Sequence, residues 1–311
     1  MIQISLNEIK SRAKSIVGSV DSIKAIGNHH LKRHLVYKLK CANKNYVLKL
    51  YHKKNRWNRE VACLKFFADS NILAPEILDY GIFDDGIEWL VYEFIEGKIL
   101  LDLLDRISLE NWNEIYYEMG KQLGLIHGYK NFNFFGSMDE EGNSINNFSK
   151  YRDYFEQRIN KVLVDLHTFK HDEPLLIRAA EAKLKSMYKI VDGVNEANLC
   201  HNDYDQRNII AVGYNGKYHL TAVIDFEQCV PDDIDKELIY VYLPLLANNQ
   251  HWAENFIAGY EEYGEINLER LYFKKDFYNL YKGIIICAWA KKVDYDYYLK
   301  GLEIIKGIVK I

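Results

Sequence analysis

The chain has 311 residues, 49% of them apolar and 27% charged, which suits one large or two modest globular domains and excludes a disordered chain. A formal charge of -4 gives no general pull toward nucleic acid, so such a role would need a local basic face.

Ser5 with Glu8 forms a capping-box pattern that predicts a short polar helix reaching about Val17. Three strand-like runs follow, Ser22 to Ile26, His34 to Cys41 and Tyr46 to Tyr51, the last two joined by the polar turn Ala42-Asn43-Lys44-Asn45. Arg56 to Phe67 returns to helical spacing, with Val61, Leu64 and Phe67 on one side. Pro75 closes that segment. Ile77 to Phe83, the turn Asp84-Asp85-Gly86 and Glu88 to Phe94 predict another hairpin, completing a sheet of about five strands with one helix after the third.

Beyond Glu96-Gly97 the periodicity turns helical. Trp112, Ile115, Tyr116, Met119, Leu123 and Ile126 share one face of a long helix, and Tyr151, Phe155, Ile159, Val162 and Leu166 make a second. A third helix is expected from Leu175 to Val191. After Asp235 the chain reads helical to the end, with Gly264 and Gly283 as breaks.

Between these helical stretches lies the most informative segment, Leu199 to Glu227. His201, Asp203 and Asn208 stand as H-x-D-x-x-x-x-N, the spacing of the kinase catalytic loop, in which the Asp accepts the substrate hydroxyl proton and the Asn holds Mg²⁺. Ile209 to Val212 and Tyr218 to Ile224 flank an Asn215-Gly216 pair, a strong hairpin signal. A short hairpin brings its ends together, so Asn208 and Asp225 are expected to meet and to chelate one Mg²⁺ through hard oxygen ligands. His201 is expected to brace the loop by hydrogen bonds. A His and an Asn that merely cap a loop would explain the motif by itself, but not the second carboxylate.

With these motifs in place the sequence resembles the aminoglycoside phosphotransferase and choline kinase-like family of small-molecule kinases, from about Ser22 to Leu246. The resemblance implies an α+β, bilobal protein-kinase-like fold: a nucleotide-binding lobe of five antiparallel strands and one helix over residues 1–95, and a larger, mostly helical catalytic lobe over residues 96–311. It implies Lys49, in Tyr46-Val47-Leu48-Lys49-Leu50, as the contact to the nucleotide phosphates, steadied by Glu60. A Lys at the centre of an apolar strand either snorkels outward or has an anionic partner. Leu90 to Gly97 resembles the hinge that meets the nucleotide base, which implies the Glu93 carbonyl, the Ile95 amide and Tyr92 beside the base; an ordinary edge strand ending at a Gly reads the same. Gly27 to Arg33 stands where a phosphate loop belongs, with Lys32 or Arg33 as aids or as part of a solvated turn. Asp225-Phe226-Glu227 replaces D-F-G, and Glu227 either touches the metal or a cationic substrate or is simply exposed. Pro231 to Asp235 matches a family segment whose leading Gly-Asp is here Cys-Val, and Asp235 is expected to cap the next helix. His127 is accounted for by its helix C-terminus.

The function expected is transfer of a phosphoryl group from ATP or GTP, with Mg²⁺, to a hydroxyl of a small molecule. Tyr92 narrows the back of the base pocket, so GTP is expected to compete with ATP. Asp205, Glu227, Asp232, Asp233, Glu261, Glu262 and Glu265 either wall a pocket for a cationic acceptor, with aminoglycosides the leading class, or form a solvated acidic face. Choline or another amino alcohol, a macrolide or a sugar are the alternatives, and an inactive structural or coat-type relative is the alternative of another class. The lack of an A-P-E segment or activation loop between Asp225 and Pro231 argues against a protein kinase. Five cysteines (Cys41, Cys63, Cys200, Cys229, Cys287), without C-x-x-C spacing, suit a reducing cytoplasm and suggest neither a disulfide framework nor a zinc site. The start, M-I-Q-I-S-L-N-E-I-K, has no apolar signal core, and the longest apolar stretch, Ile284 to Ala290, is far short of the roughly twenty residues of a membrane span, so neither export nor a membrane partner is expected.

Overall fold

The computed structural model describes residues 4–27, 29, 34–52, 54 and 56–309. Helix α1 (Leu6–Val17) starts where the Ser5 hydroxyl accepts the Glu8 amide at 3.2 Å. Strands β1 (Ser22–Ile26), β2 (His34–Lys40) and β3 (Asn45–Tyr51) precede α2 (Trp57–Phe67), and β4 (Ile77–Ile82) and β5 (Glu88–Glu93) follow it. They form one antiparallel sheet in the order β1-β2-β3-β5-β4. Side chains alternate across a strand, and β3 shows the consequence. Leu48 and Leu50 enter a small core shared with Ile9 of α1, Leu39 and Val91, while Val47 and Tyr51 join the larger core on the side of α2. Lys49 lies on that second side.

Gly97 carries the chain out of the sheet with φ of +141°, a conformation that favours glycine. A Cβ there would also stand 2.7 Å from Ile210 Cγ2 and 2.8 Å from the Ala211 carbonyl. The close approach lets β6 (Lys98–Ile99) pair with β9, introduced below. Helix α3 (Leu109–His127) is capped by Ser108, whose hydroxyl accepts the Asn111 amide. Then come β7 (Asn131–Phe132), α4 (Tyr151–Leu166), with the predicted bounds, and α5 (Pro174–Ser186), which ends short of Val191 because a 3-10 turn, Tyr188–Gly193, takes over.

Strands β8 (Ala197–Cys200), β9 (Ile209–Tyr214), β10 (Lys217–Val223) and β11 (Val230–Asp232) build two small antiparallel sheets, β10-β9-β6 and β11-β8-β7. The Cys229-Val230 pair that departs from the family segment leads into β11, where Val230 pairs with Cys200. Helices α6 (Ile234–Asn248), α7 (Gln250–Tyr260), α8 (Leu268–Trp289) and α9 (Tyr295–Ile308) complete the chain. α3 and α7 cross almost backbone to backbone: a Cβ on Gly120 would fall 1.9 Å from the Phe256 carbonyl, and one on Gly259 2.0 Å from that of Tyr117. Gly264 lies in the turn before α8, as expected, but Gly283 does not break a helix; it sits inside α8 where α9 packs against it. Among the described residues no helix is long and apolar enough to cross a membrane.

Candidate active site

A cleft of about 470 Å³ lies along β2, β3 and the chain crossing, lined by Lys49, Tyr92, Glu93, Ile95, Asp203, Asn208 and Asp225 among others. Lys49 is 2% exposed and does not snorkel outward. Its Nζ donates to Glu60 Oε2 at 2.7 Å and to Asp225 Oδ1 at 2.6 Å, and Glu227 stands 3.5 Å away. Tyr51 also donates to Glu60 Oε2, at 2.6 Å. Burial disfavours a charged Lys49, yet Asp225, Glu60 and Glu227 outweigh it and hold the ammonium protonated well beyond the usual lysine range. Tyr92, 8% exposed, is kept protonated first by burial and then by the Glu60 carboxylate.

The hairpin does what its sequence predicts. Asn215 and Gly216 take positive φ, 50° and 80°, as a two-residue type I′ turn requires, and Ile209 pairs with Val223 at the open end. The Ile224 amide then donates to the Asn208 carbonyl at 2.9 Å, which brings Asn208 and Asp225 to one end of the cleft. Asn208 Nδ2 donates to the Asp203 carbonyl at 2.8 Å, so its amide oxygen is turned away from that bond. Asp225 adopts a left-handed conformation, φ 67° and ψ 58°, costing about 1–2 kcal/mol for a residue with a Cβ, and Asn202 does likewise with φ 63°. One Asp225 oxygen is taken by Lys49; the other, with the Asn208 amide oxygen, is a hard-oxygen pair of the kind a Mg²⁺ ion binds.

His201 is fully buried, and its ring bonds define one tautomer. Nε2 lies 3.1 Å from the Ile224 carbonyl and must donate, whereas Nδ1 accepts the Asp203 amide at 3.3 Å. Both nitrogens are thus committed to the loop. Burial first, and then the nearby Asp225 carboxylate, raises the pKa of Asp203 above the ordinary carboxylate value.

The carboxylates expected to gather at one mouth do not. Glu227, 4% exposed, faces the Lys49 side, with His34 Nδ1 and Arg56 Nη1 each 3.1 Å from it. Burial pushes its pKa up, but Lys49, His34 and Arg56 together hold the carboxyl below the usual range. Asp232 is fully buried and paired with Lys236. Asp233, not Asp235, caps α6: its side chain accepts the Asp235 amide, while Lys274 bridges Asp233 at 2.8 Å and Asp235 at 2.6 Å. Glu262 is held by Tyr117 and Lys121 on α3, Glu261 is the exposed cap residue of α7, and neither lines a cavity beside Asp203. Asp205 does stand beside Asp203, but Arg207 neutralises it. Lys32 and Arg33 lie outside the described residues.

Sequence reasoning missed Glu237. From the first turn of α6, 2% exposed, it accepts the backbone amides of His201 at 2.8 Å and Asn202 at 2.5 Å, and lies 3.0 Å from His127 Nε2. Its carboxylate therefore ties the loop to the end of α3, and this bond, with one from Tyr260 at 2.8 Å, accounts for His127 better than a helix C-terminus does. Its own stretch, Asp232-Asp233-Ile234-Asp235-Lys236-Glu237, gave no signal, because one more charged residue there is unremarkable. Cys200 joins His127 and Glu237 within ligating reach, but burial holds its thiol protonated well above the usual range.

The fold is shared with solved kinases of small molecules. It matches aminoglycoside phosphotransferase APH(4)-Ia, in a ternary complex with AMP-PNP and hygromycin B, with a TM-score of 0.75 and 18% identity over 97% of this chain and 98% of that one. The GDP complex of aminoglycoside 2'-phosphotransferase-IIIa matches with a TM-score of 0.67 and 14% identity over 96% and 98%. Spectinomycin phosphotransferase APH(9)-Ia, in complex with ADP and spectinomycin, matches with 0.62 and 14% over 100% and 96%. No curated protein matches the chain by sequence. The architecture is thus the α+β, kinase-like one expected. The chain belongs to the phosphotransferase enzyme family, whose model matches residues 28–273. It is a small-molecule phosphotransferase with a hydroxyl acceptor.

Proposed function

We propose that the chain transfers the γ-phosphoryl group of ATP or GTP to the hydroxyl of a small acceptor, with Asp203 as general base. The observation that carries this reading is that Asp203 stands in the wall of two adjoining cavities, the cleft that holds Lys49 and a second one of about 300 Å³. A residue so placed can take a proton from an acceptor in one cavity while the phosphates lie in the other. Residues 1–95 serve as the nucleotide lobe and 96–311 as the catalytic lobe, with Gly97 at the crossing. Lys49, positioned by Glu60, neutralises the phosphates, and the Glu93 carbonyl and Ile95 amide meet the base.

In the step itself the acceptor oxygen forms a bond to the γ-phosphorus as the bond to the bridging oxygen of the β-phosphate breaks. The hydroxyl proton passes to Asp203, and the products are a phosphate monoester and a nucleoside diphosphate. His201 braces the loop. Asn208 and Asp225 are the residues that would hold Mg²⁺, which supplies neutralisation of charge on the phosphates. Asp225→Ala is accordingly expected to lower nucleotide affinity in Mg²⁺ to the value wild type shows in EDTA; equal binding by both proteins in Mg²⁺ would remove Asp225 from that role.

Tyr92 lines the cleft, and GTP is expected to be used alongside ATP. The kcat/KM ratio for the two nucleotides, measured in wild type and Tyr92→Ala, should shift; an unchanged ratio means that Tyr92 does not read the base. A cytoplasmic setting belongs to the same reading, supported by five cysteines that are all free thiols. An aminoglycoside, the leading acceptor class, needs carboxylates that converge on one pocket. With those carboxylates dispersed, the second cavity supports a different acceptor.

A further inference from the structure

The second cavity is enclosed by α4, α6, α8, α9 and the loop that carries Asp203. Its charged lining is four cations (Arg158, Arg207, Lys236, Lys282) against three carboxylates (Asp203, Asp205, Glu237). Pairing removes most of these from play. Arg207 is held by Asp205 and Lys236 by the buried Asp232, while the Glu237 carboxylate keeps its charge but turns its oxygens to the backbone amides of His201 and Asn202. What remains outside any ion pair is Arg158 and Lys282; Asp203 faces the same space with Arg207 Nη2 3.6 Å from it.

Neither Arg158 nor Lys282 forms an ion pair with any described residue. Among the described residues Arg158 donates one bond, from Nη1 to the Tyr154 hydroxyl at 2.7 Å, and most of its five N–H donors find no partner there. Lys282 Nζ rests 4.6 Å from the centre of the Tyr240 ring, and burial lowers its pKa, as expected for an ammonium without a salt-bridge partner. A third donor stands with them. The Tyr281 hydroxyl belongs to a side chain only 2% exposed and has no hydrogen-bond partner among the described residues, although a buried polar group left unbonded costs about 1–3 kcal/mol. Arg158, Tyr281 and Lys282 thus line the space as donors that no carboxylate holds in an ion pair, with Tyr240, Ile285 and Trp289 beside them.

We infer that the acceptor is an alcohol that carries an oxyanion, a carboxylate or a phosphate, bound by Arg158, Tyr281 and Lys282 while its hydroxyl faces Asp203. An oxyanion has the lone pairs these donors lack, and two cations outside any ion pair of the described residues, Arg158 steadied in part by the more distant Asp232, disfavour a polycation by like-charge repulsion. The inference rests on the kinase reading only for the identity of the hydroxyl as the reacting group; the charge preference of the cavity stands by itself.

The test compares probes that share a benzyl alcohol and differ in charge: 4-(hydroxymethyl)benzoate, 4-(hydroxymethyl)phenyl phosphate, the neutral 4-(hydroxymethyl)benzamide and the cationic 4-(aminomethyl)benzyl alcohol, with kanamycin as a polycation. Calorimetric titration into the full chain, with and without saturating ADP, should show the anions binding about tenfold or more tightly than the amide, a difference of about 1.4 kcal/mol, and the cations more weakly still. Arg158→Gln and Lys282→Gln should each lose most of that preference while keeping ADP affinity. Lys282 is only half-buried, so its variant keeps the test alive if Arg158→Gln fails to fold. Whichever of benzoate and phosphate binds more tightly identifies the oxyanion. Tighter binding of the amine or kanamycin, no binding of either anion, or a preference indifferent to both substitutions would overturn the inference. Failure of wild type to bind ADP or to transfer phosphate would count against the kinase reading instead, and the titrations without nucleotide would still judge the cavity.

Discussion

Asp203→Asn is expected to lower kcat by about 10²–10⁴-fold, because the amide keeps the shape of the side chain but accepts no proton from the acceptor. Nucleotide affinity should hold within about threefold, since Lys49 and its partners are untouched. A loss of no more than about tenfold would end its assignment as base. The raised pKa of Asp203 adds a second readout. A base must be ionised to act, so kcat/KM should fall as pH drops through that raised value, placing the acid limb above the roughly pH 4 of an unperturbed Asp. An acid limb at or below that point would mean that burial and Asp225 do not act on the catalytic carboxylate as the geometry requires.

Glu237→Gln should be nearly as damaging to turnover, and by a different route. Its carboxylate accepts two backbone amides of the catalytic loop and one His127 nitrogen, whereas an amide offers a single oxygen and places an N–H where an acceptor is needed. Bonds to a buried charged acceptor contribute about 1.5–3 kcal/mol each, so a loss of about 3 kcal/mol in stability is expected, visible as a Tm lower by several degrees. Because Asn202 is held with positive φ beside Asp203, the loop should lose its geometry before the nucleotide cleft does. The kinetic signature is a lower kcat with a nearly unchanged nucleotide Kd. A Tm within about one degree of wild type together with unchanged kcat would show that Glu237 does not hold the loop.

These two residues also mark what could and could not be seen in advance. Asp203 was legible because its chemistry is written locally: four residues separate it from Asn208, and the Asn215-Gly216 turn returns the chain to Asp225 through a short hairpin whose register follows from its own alternation. Glu237 arrives from another element, 36 residues beyond His201, and its two hydrogen bonds to the loop are to backbone amides, which carry no sequence signal.

The sequence by itself determined the sheet with its inserted helix, the long helices and the catalytic loop, since each rests on periodicity, turn chemistry or spacing within one stretch of chain. It left Lys49 between two readings, and only packing chose: Glu60 and Asp225 enclose its ammonium from α2 and from the end of β10. The lining of the second cavity was decided wholly by tertiary structure. Of the carboxylates close in sequence, Asp232 meets Lys236, whereas Asp233 and Asp235 converge on Lys274, with Arg270 also on Asp235, and these cations take them out of the electrostatic balance. The cations left over, Arg158 and Lys282, are scarcely remarkable on α4 and α8 in isolation. Charge along a chain is additive, whereas charge facing a cavity is what remains after pairing, and pairing is a property of contacts between elements far apart in sequence.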